Sequence, residues 1–189
     1  MKNILCFVYD TFVNFESALV CHYITQNENF NVIYVGYDDS PVKSLGGIKV
    51  TPDTTFSKIS STLDISGIII PGGVDRIVRP ELKSLILKLM DQKKLVAAIC
   101  AGPEYLARLG ILDNKKYTCS MEPEEYKEKN EEDPFPRKNY VEARVVRDDN
   151  VITAKGSAFI DFALEIWDFL ELYDYETEKE ECKALFSAV

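Results

Sequence analysis

The sequence predicts an α/β fold in which a parallel β-sheet is sandwiched by helices on both faces. Two observations point there. Short apolar runs alternate along the chain with stretches whose apolar residues keep helical spacing. One run, ISGIIIPGG at 65–73, is apolar until its Pro-Gly-Gly end, as a strand buried on both faces of a parallel sheet must be.

Taken in order, NILCFVY (3–9) reads as the first buried strand. Asp10 and Thr11 lead from it into NFESALVCHYI, a helix over about 15–25 with Asn14 as its cap. FNVIYVG (30–36) is a second strand. SPVKSLGGIKVTPD, with Gly46, Gly47 and Pro52, reads as a hairpin or short excursion, and Asp53 onward leads to a short helix near FSKI. After the 65–73 run, Leu82, Leu85, Ile86, Leu89 and Met90 share one face of a helix over about 80–92. LVAAI (95–99) is the next strand and feeds a helix at about 101–109. YVEARVVRDD (140–149) and VITAKG (151–156) are two strands joined by the Asp148-Asp149-Asn150 turn. SAFIDFALEIWDFLELY then forms a long helix burying Phe159, Phe162, Ala163, Ile166, Phe169, Leu170 and Tyr173.

The 189 residues fit one domain, 1–189, with an acidic insertion at about 122–133 (EPEEYKEKNEED) and a tail at about 174–189. The insertion reads as a solvated helix or mobile loop. The tail docks a last short helix through Leu185 and Phe186, or frays. A formal charge of -9 argues against nucleic-acid and anionic-membrane partners. No segment reaches the roughly 18 apolar residues of a membrane span, and MKNILCFVYD meets Asp10 too early for a secretory signal. Cysteines at 6, 21, 100, 119 and 182 are odd in number, widely spaced and without a CxxC pair. That pattern predicts no disulfide framework, no metal site, no cofactor read from a motif, and a cytoplasmic location.

In such sheets, sites lie beyond the carboxyl ends of the strands. Three strand ends draw attention: the loop before Glu16, the PGG turn at 71–73, and Cys100 at the seam between strand and helix in VAAICAGPEYLARLG (96–110). A strand-to-helix elbow needs small neighbours, which Ala98, Ala101 and Gly102 supply, and Pro103 suits a first helical turn. Helix amides and dipole facing the sulfur predict a thiol more acidic than the roughly 8.5 of a free cysteine. The alternative is an inert cysteine at a strand end. The Gly73 and Ala101 amides are candidates for an oxyanion hole beside the sulfur.

IIIPGG, AAICAGPEYLARLGIL, YTCS and VITAKGSAFIDFALEI, following an NFES helix, resemble the ThiJ/PfpI family over about residues 3–172. This is the superfamily of the Parkinson-disease deglycase/chaperone protein and of PfpI-type intracellular proteases. The resemblance implies a flavodoxin-like, class I glutamine-amidotransferase-like fold. It places Cys100 where the family keeps a readily oxidised cysteine, and Glu16 where it keeps a carboxylic acid whose proton faces that sulfur. Gly72 and Gly73 match its oxyanion-side glycines, while Thr153, Gly156 and Ser157 match a segment closing the pocket from below. It also implies a homodimer.

The sequence departs from the family at the histidine. Ala101 follows the nucleophile, and Ser120, beside Cys119, occupies the later position where many members have one. Cys119 is a candidate resolving thiol or a packing residue. The sole histidine, His22, is six residues beyond Glu16 and on a different side of the helix. Without a Cys-His dyad, a protease or amidase mechanism loses its base.

Three functions remain open. The first is a cysteine sensor of oxidative or carbonyl stress, whose partner is a small electrophile or oxidant. The second is a glyoxalase- or deglycase-type enzyme acting on small carbonyls or adducts, with Glu16 moving the proton. The third is a non-catalytic scaffold.

Overall fold

The apolar runs form a seven-stranded sheet, as seen in a computed structural model that describes residues 1–175 and 177–187. In chain order its elements begin with β1 (Lys2–Phe7), α1 (Phe15–Ile24), β2 (Phe30–Gly36) and the hairpin β3 (Val42–Lys43) and β4 (Lys49–Val50). Next come β5 (Thr54–Thr55), β6 (Ile65–Ile70), α2 (Pro80–Asp91), β7 (Leu95–Ile99) and α3 (Pro103–Arg108). The chain continues through α4 (Pro123–Glu128), β8 (Val145–Asp148), β9 (Val151–Ala154), α5 (Phe159–Phe169) and α6 (Glu178–Ser187).

Across the sheet the order is β5-β2-β1-β6-β7-β9-β8, and every pairing is parallel except the edge pair β8–β9. The chain leaves β1 toward β2 on one side, and later returns to place β6 on the other. The loops beyond β1 and β6 therefore diverge and leave a crevice at the carboxyl end of the sheet.

Two apolar layers sandwich the sheet. Ile68, Ile70, Val96 and Ala98 face Leu82, Ile86 and Leu89 of α2 and Tyr105 and Leu106 of α3. Ile69, Ala97, Ile99 and Ile152 face Val20 and Ile24 of α1 and Phe162, Ile166 and Trp167 of α5. Alternate residues of one strand feed opposite layers, so burial on both faces fixes the strand register.

Several expectations need correction. Asn14 precedes α1 but makes no side-chain cap. The segment after Asp53 first forms β5, an edge strand beside β2, before the 3₁₀ turn Phe56–Lys58. The strand expected over 140–149 is confined to Val145–Asp148; Tyr140 instead makes a lone bridge to Tyr117. The long helix spans Phe159–Phe169 and buries Leu164 and Trp167, while Phe159, Phe169, Leu170 and Tyr173 are only half-buried. The acidic insertion forms α4, closed by a capping box between Glu122 and Glu125, with Tyr126 buried. The tail docks α6 on α5 through Phe186, whose ring meets Tyr23, whereas Leu185 points to solvent. The tail expectation also covered residues 176, 188 and 189, which lie outside the described residues.

Candidate active site

Cys100 follows β7 directly and adopts φ +62°, a left-handed conformation that disfavours a side chain. The elbow is held on both sides. The Cys100 N–H donates to Ala154 O at 2.9 Å, and Ser120 N–H donates to Cys100 O at 2.9 Å. The strained turn lifts the half-buried thiol out of the sheet toward α1.

Glu16, in the first turn of α1, is 2% exposed, and its carboxyl hydrogen-bonds the Cys100 thiol. The Gly72 amide donates to Glu16 Oε2 at 2.7 Å. Gly72 and Gly156 press on the pair from two sides. A Cβ at Gly72 would lie 2.9 Å from Glu16 Oε2 and 3.0 Å from Cys100 Sγ. One at Gly156 would lie 2.9 Å from Glu16 Oε1 and 3.0 Å from the same sulfur.

Ser120 supplies a further donor. Its hydroxyl hydrogen-bonds the sulfur and accepts the Gly156 N–H at 2.9 Å. The Ala101 amide also donates to the sulfur. Gly73 is buried at the turn, where a Cβ would meet Tyr9 Oη at 2.7 Å and Thr11 O at 2.8 Å.

The electrostatics reverse one expectation. Burial, and then the charge of Glu16 and its hydrogen bond, push the Cys100 thiol up to about 12, outweighing the Ser120 and Ala101 donors. α3 has six residues, so its dipole is too short to overcome desolvation. Burial also raises the Glu16 carboxyl above its ordinary value, opposed by the Gly72 amide and by Cys100. The two acids together therefore resist carrying two charges.

The structure brings Cys100, Glu16, Gly72, Ala101, Ser120 and Gly156 together. Gly72 differs from expectation, because its amide is occupied by the Glu16 carboxyl and is not open to an oxyanion. Cys119 is 1% exposed, its thiol donates to Met121 O at 3.5 Å, and burial pushes that thiol up to about 11. It packs as a core residue. Thr153 lies beneath the site, where its hydroxyl accepts the Thr118 amide at 3.0 Å. His22 is exposed on the far part of α1 with its ring against Tyr23, so no Cys-His dyad forms. Among the described residues, no three His, Cys, Asp or Glu side chains are placed to hold a metal ion.

Sequence reading missed what holds the 71–73 turn. Its three carbonyls are each taken by a different group: Pro71 O by Tyr9 Oη at 2.9 Å, Gly72 O by Val13 N at 2.8 Å, and Gly73 O by Arg76 Nη1 at 2.6 Å. Just beyond, Thr11, at φ +69°, accepts the Val74 and Asp75 amides on its hydroxyl at 3.1 and 3.0 Å.

Comparison with known proteins places the chain in a family. A family model described as the DJ-1/PfpI family matches residues 2–168. An uncharacterized protease, YdeA, of Bacillus subtilis is 29% identical over 188 residues, covering 98% of this chain and 90% of that protein. The glutathione-independent glyoxalase DJR-1.2 of Caenorhabditis elegans is 36% identical over 146 residues, covering 74% and 73%. The crystal structure of the DJ-1 superfamily protein Atu0886 from Agrobacterium tumefaciens superposes with a TM-score of 0.83 at 30% identity, covering 100% and 98%.

Proposed function

The chain belongs to the DJ-1/PfpI family, and from that premise we propose that it is a cysteine-dependent enzyme of the glyoxalase or deglycase type acting on small carbonyl compounds. One observation carries the reading: a carboxyl at 2% exposure is hydrogen-bonded to a half-buried thiol on a strained elbow. The glyoxalase among the relatives supports it.

In this reading the pair works by passing a proton between its two members. As the Cys100 sulfur bonds to an aldehyde carbon, its proton passes to Glu16 and the carbonyl electron pair moves to oxygen. Glu16 then returns the proton to that oxygen, which completes a hemithioacetal. A buried carboxylate is a stronger base than a free one, and taking the proton relieves its repulsion with the sulfur. The Gly73 and Ala101 amides are the proposed oxyanion donors. With methylglyoxal, proton transfer between the two carbons and hydrolysis give lactate and regenerate the thiol. Lactate formed by the wild type and lost in Cys100→Ser is the expected result; turnover unchanged by that substitution overturns the reading.

A second reading, oxidant sensing, is favoured by the Ser120 and Ala101 donors converging on a half-buried sulfur. There the thiolate and hydrogen peroxide give sulfenate and water, and a second peroxide gives sulfinate and water. The raised thiol works against rapid oxidation, which puts this reading second. Intact mass after limited peroxide tests it: a gain of two oxygens at Cys100 supports it, and none counts against it.

The proposed setting is a reducing cytoplasm, supported by five free thiols; no described helix is long and apolar enough to cross a membrane. The proposed partner is a second copy of the chain. Phe15, Leu45, Ile48 and Val74, each 50–59% exposed, offer it an apolar face on segments hydrogen-bonded around Thr11 and Phe12. Light scattering after size exclusion decides between dimer and monomer.

A further inference from the structure

Among the described residues, two carboxyl groups are buried: Glu16, at 2% exposure, and Glu104, at 1%. The proposed chemistry uses the first and leaves the second unexplained. Glu104 lies four residues past Cys100, on α3. An ionised carboxyl in that position is costly unless every lone pair is answered. Here three side chains answer it: Arg76 Nε at 2.6 Å, Arg108 through Nε at 2.8 Å and Nη2 at 2.6 Å, and Tyr126 Oη at 2.8 Å. These partners hold the carboxyl below its ordinary value against burial, so it stays charged.

The partners come from three segments. Arg108 belongs to the same helix as Glu104. Tyr126 comes from α4, in the acidic insertion. Arg76 comes from the loop after β6, and its guanidinium reaches back to Gly73 O at 2.6 Å and Val74 O at 3.3 Å. Arg76 thus clips the 71–73 turn to the helix that follows Cys100. That turn carries the amide reaching Glu16 Oε2 at 2.7 Å. A guanidinium holds its donors in a rigid planar fork that spans two acceptors, whereas an ammonium is a compact charge without that fixed geometry.

We propose that Glu104 and Arg76 are positioning residues: their ion pair locks the Pro71–Gly73 turn to the Cys100 elbow and so keeps the Gly72 amide on the Glu16 carboxyl. Tyr126 covers the pair, which gives the insertion a structural link to the site. The proposal rests on reading Glu16 and Cys100 as the working pair, and its test is read on Glu16 alone, without turnover.

The probe is the Gly72 amide resonance in ¹H–¹⁵N spectra recorded across pH, which reports the carboxyl beside it. In the wild type that resonance shifts strongly as Glu16 titrates. In Glu104→Gln and Arg76→Lys the turn loosens, the amide loses its downfield shift, and the midpoint moves to higher pH because Glu16 has lost a donor to its charged form. Tyr126→Phe shifts it the same way by less. If Glu104→Gln does not fold, the Arg76→Lys and Tyr126→Phe variants still decide. A Gly72 resonance and midpoint identical to the wild type in folded variants overturns the proposal. A wild type that makes no lactate from methylglyoxal, yet shows the shifted midpoint in the variants, removes the carbonyl chemistry and leaves the positioning role standing.

Discussion

Gly72 and Gly156, far apart in the sequence, close on the same sulfur: a Cβ at either would stand 3.0 Å from Cys100 Sγ. The nearest atoms are closer still, at 2.7 Å from Gly72 and 2.9 Å from Gly156, so a methyl group at either position fits only if something moves.

Alanine at either glycine is therefore expected to displace the pair. Gly72→Ala is the harsher change, since its nearest obstacle is Cys100 Cβ at 2.7 Å, fixed to the elbow. At Gly156 the nearest obstacle is the Glu16 carboxyl oxygen at 2.9 Å, at the end of a side chain. Overpacking of this kind costs about 1–3 kcal/mol. Urea unfolding measures the loss, with methylglyoxal turnover lowered in both variants and more in the first.

Glu16→Gln changes how stability depends on pH. The Glu16 carboxyl is raised by burial from its ordinary 4.5, so the folded chain holds that proton more tightly than the unfolded one. Its contribution is complete below that ordinary value and is lost as pH climbs through the folded one. Glutamine keeps an acceptor for the Gly72 amide and has no proton to lose. Urea midpoints at several values between about pH 4 and pH 8 should show the wild type losing ground to the variant as pH rises. A difference constant with pH contradicts the assignment.

The same variant separates acidity from catalysis. Removing the Glu16 charge removes a cause of the raised Cys100 thiol, so iodoacetamide should label Cys100 faster in Glu16→Gln in mildly alkaline buffer. Turnover of methylglyoxal should fall roughly 10²–10⁴-fold, the usual worth of a positioned base. Labelling and turnover that fall together would show Glu16 acting on the sulfur in the opposite sense.

Ser120→Ala deletes a donor to the sulfur and the acceptor of the Gly156 N–H at 2.9 Å. The thiol should rise further and label more slowly than in the wild type. Stability should drop by about 1 kcal/mol, the net worth of a typical hydrogen bond. Alkylation rates and a denaturation curve test both halves.

Much of this was legible in the sequence, for identifiable reasons. β7 at 95–99 falls where a continuous apolar run placed it, because a strand buried on both faces leaves no polar residue to blur its ends. The Cys100 elbow was marked by small neighbours and by Pro103. What escaped was long-range. Glu104 looks like an ordinary first-turn acid until Arg76 and Tyr126, 28 and 22 residues away, are seen to enclose it. The acidity of Cys100 was misjudged because local sequence shows the helix dipole and hides the desolvation that outweighs it. Leu185 and Phe186 are equally apolar, and only packing against α1 and α5 decides which one turns inward.

The backbone at residue 100, with φ +62°, sets the terms on which this thiol is kept. Glycine is the residue that sits there at ease, so Cys100→Gly should be more stable than Cys100→Ala by about 1 kcal/mol. The bend is therefore kept in shape by the hydrogen bonds to Ala154 O and from Ser120 N on either side of it, and not by any preference of the residue it carries.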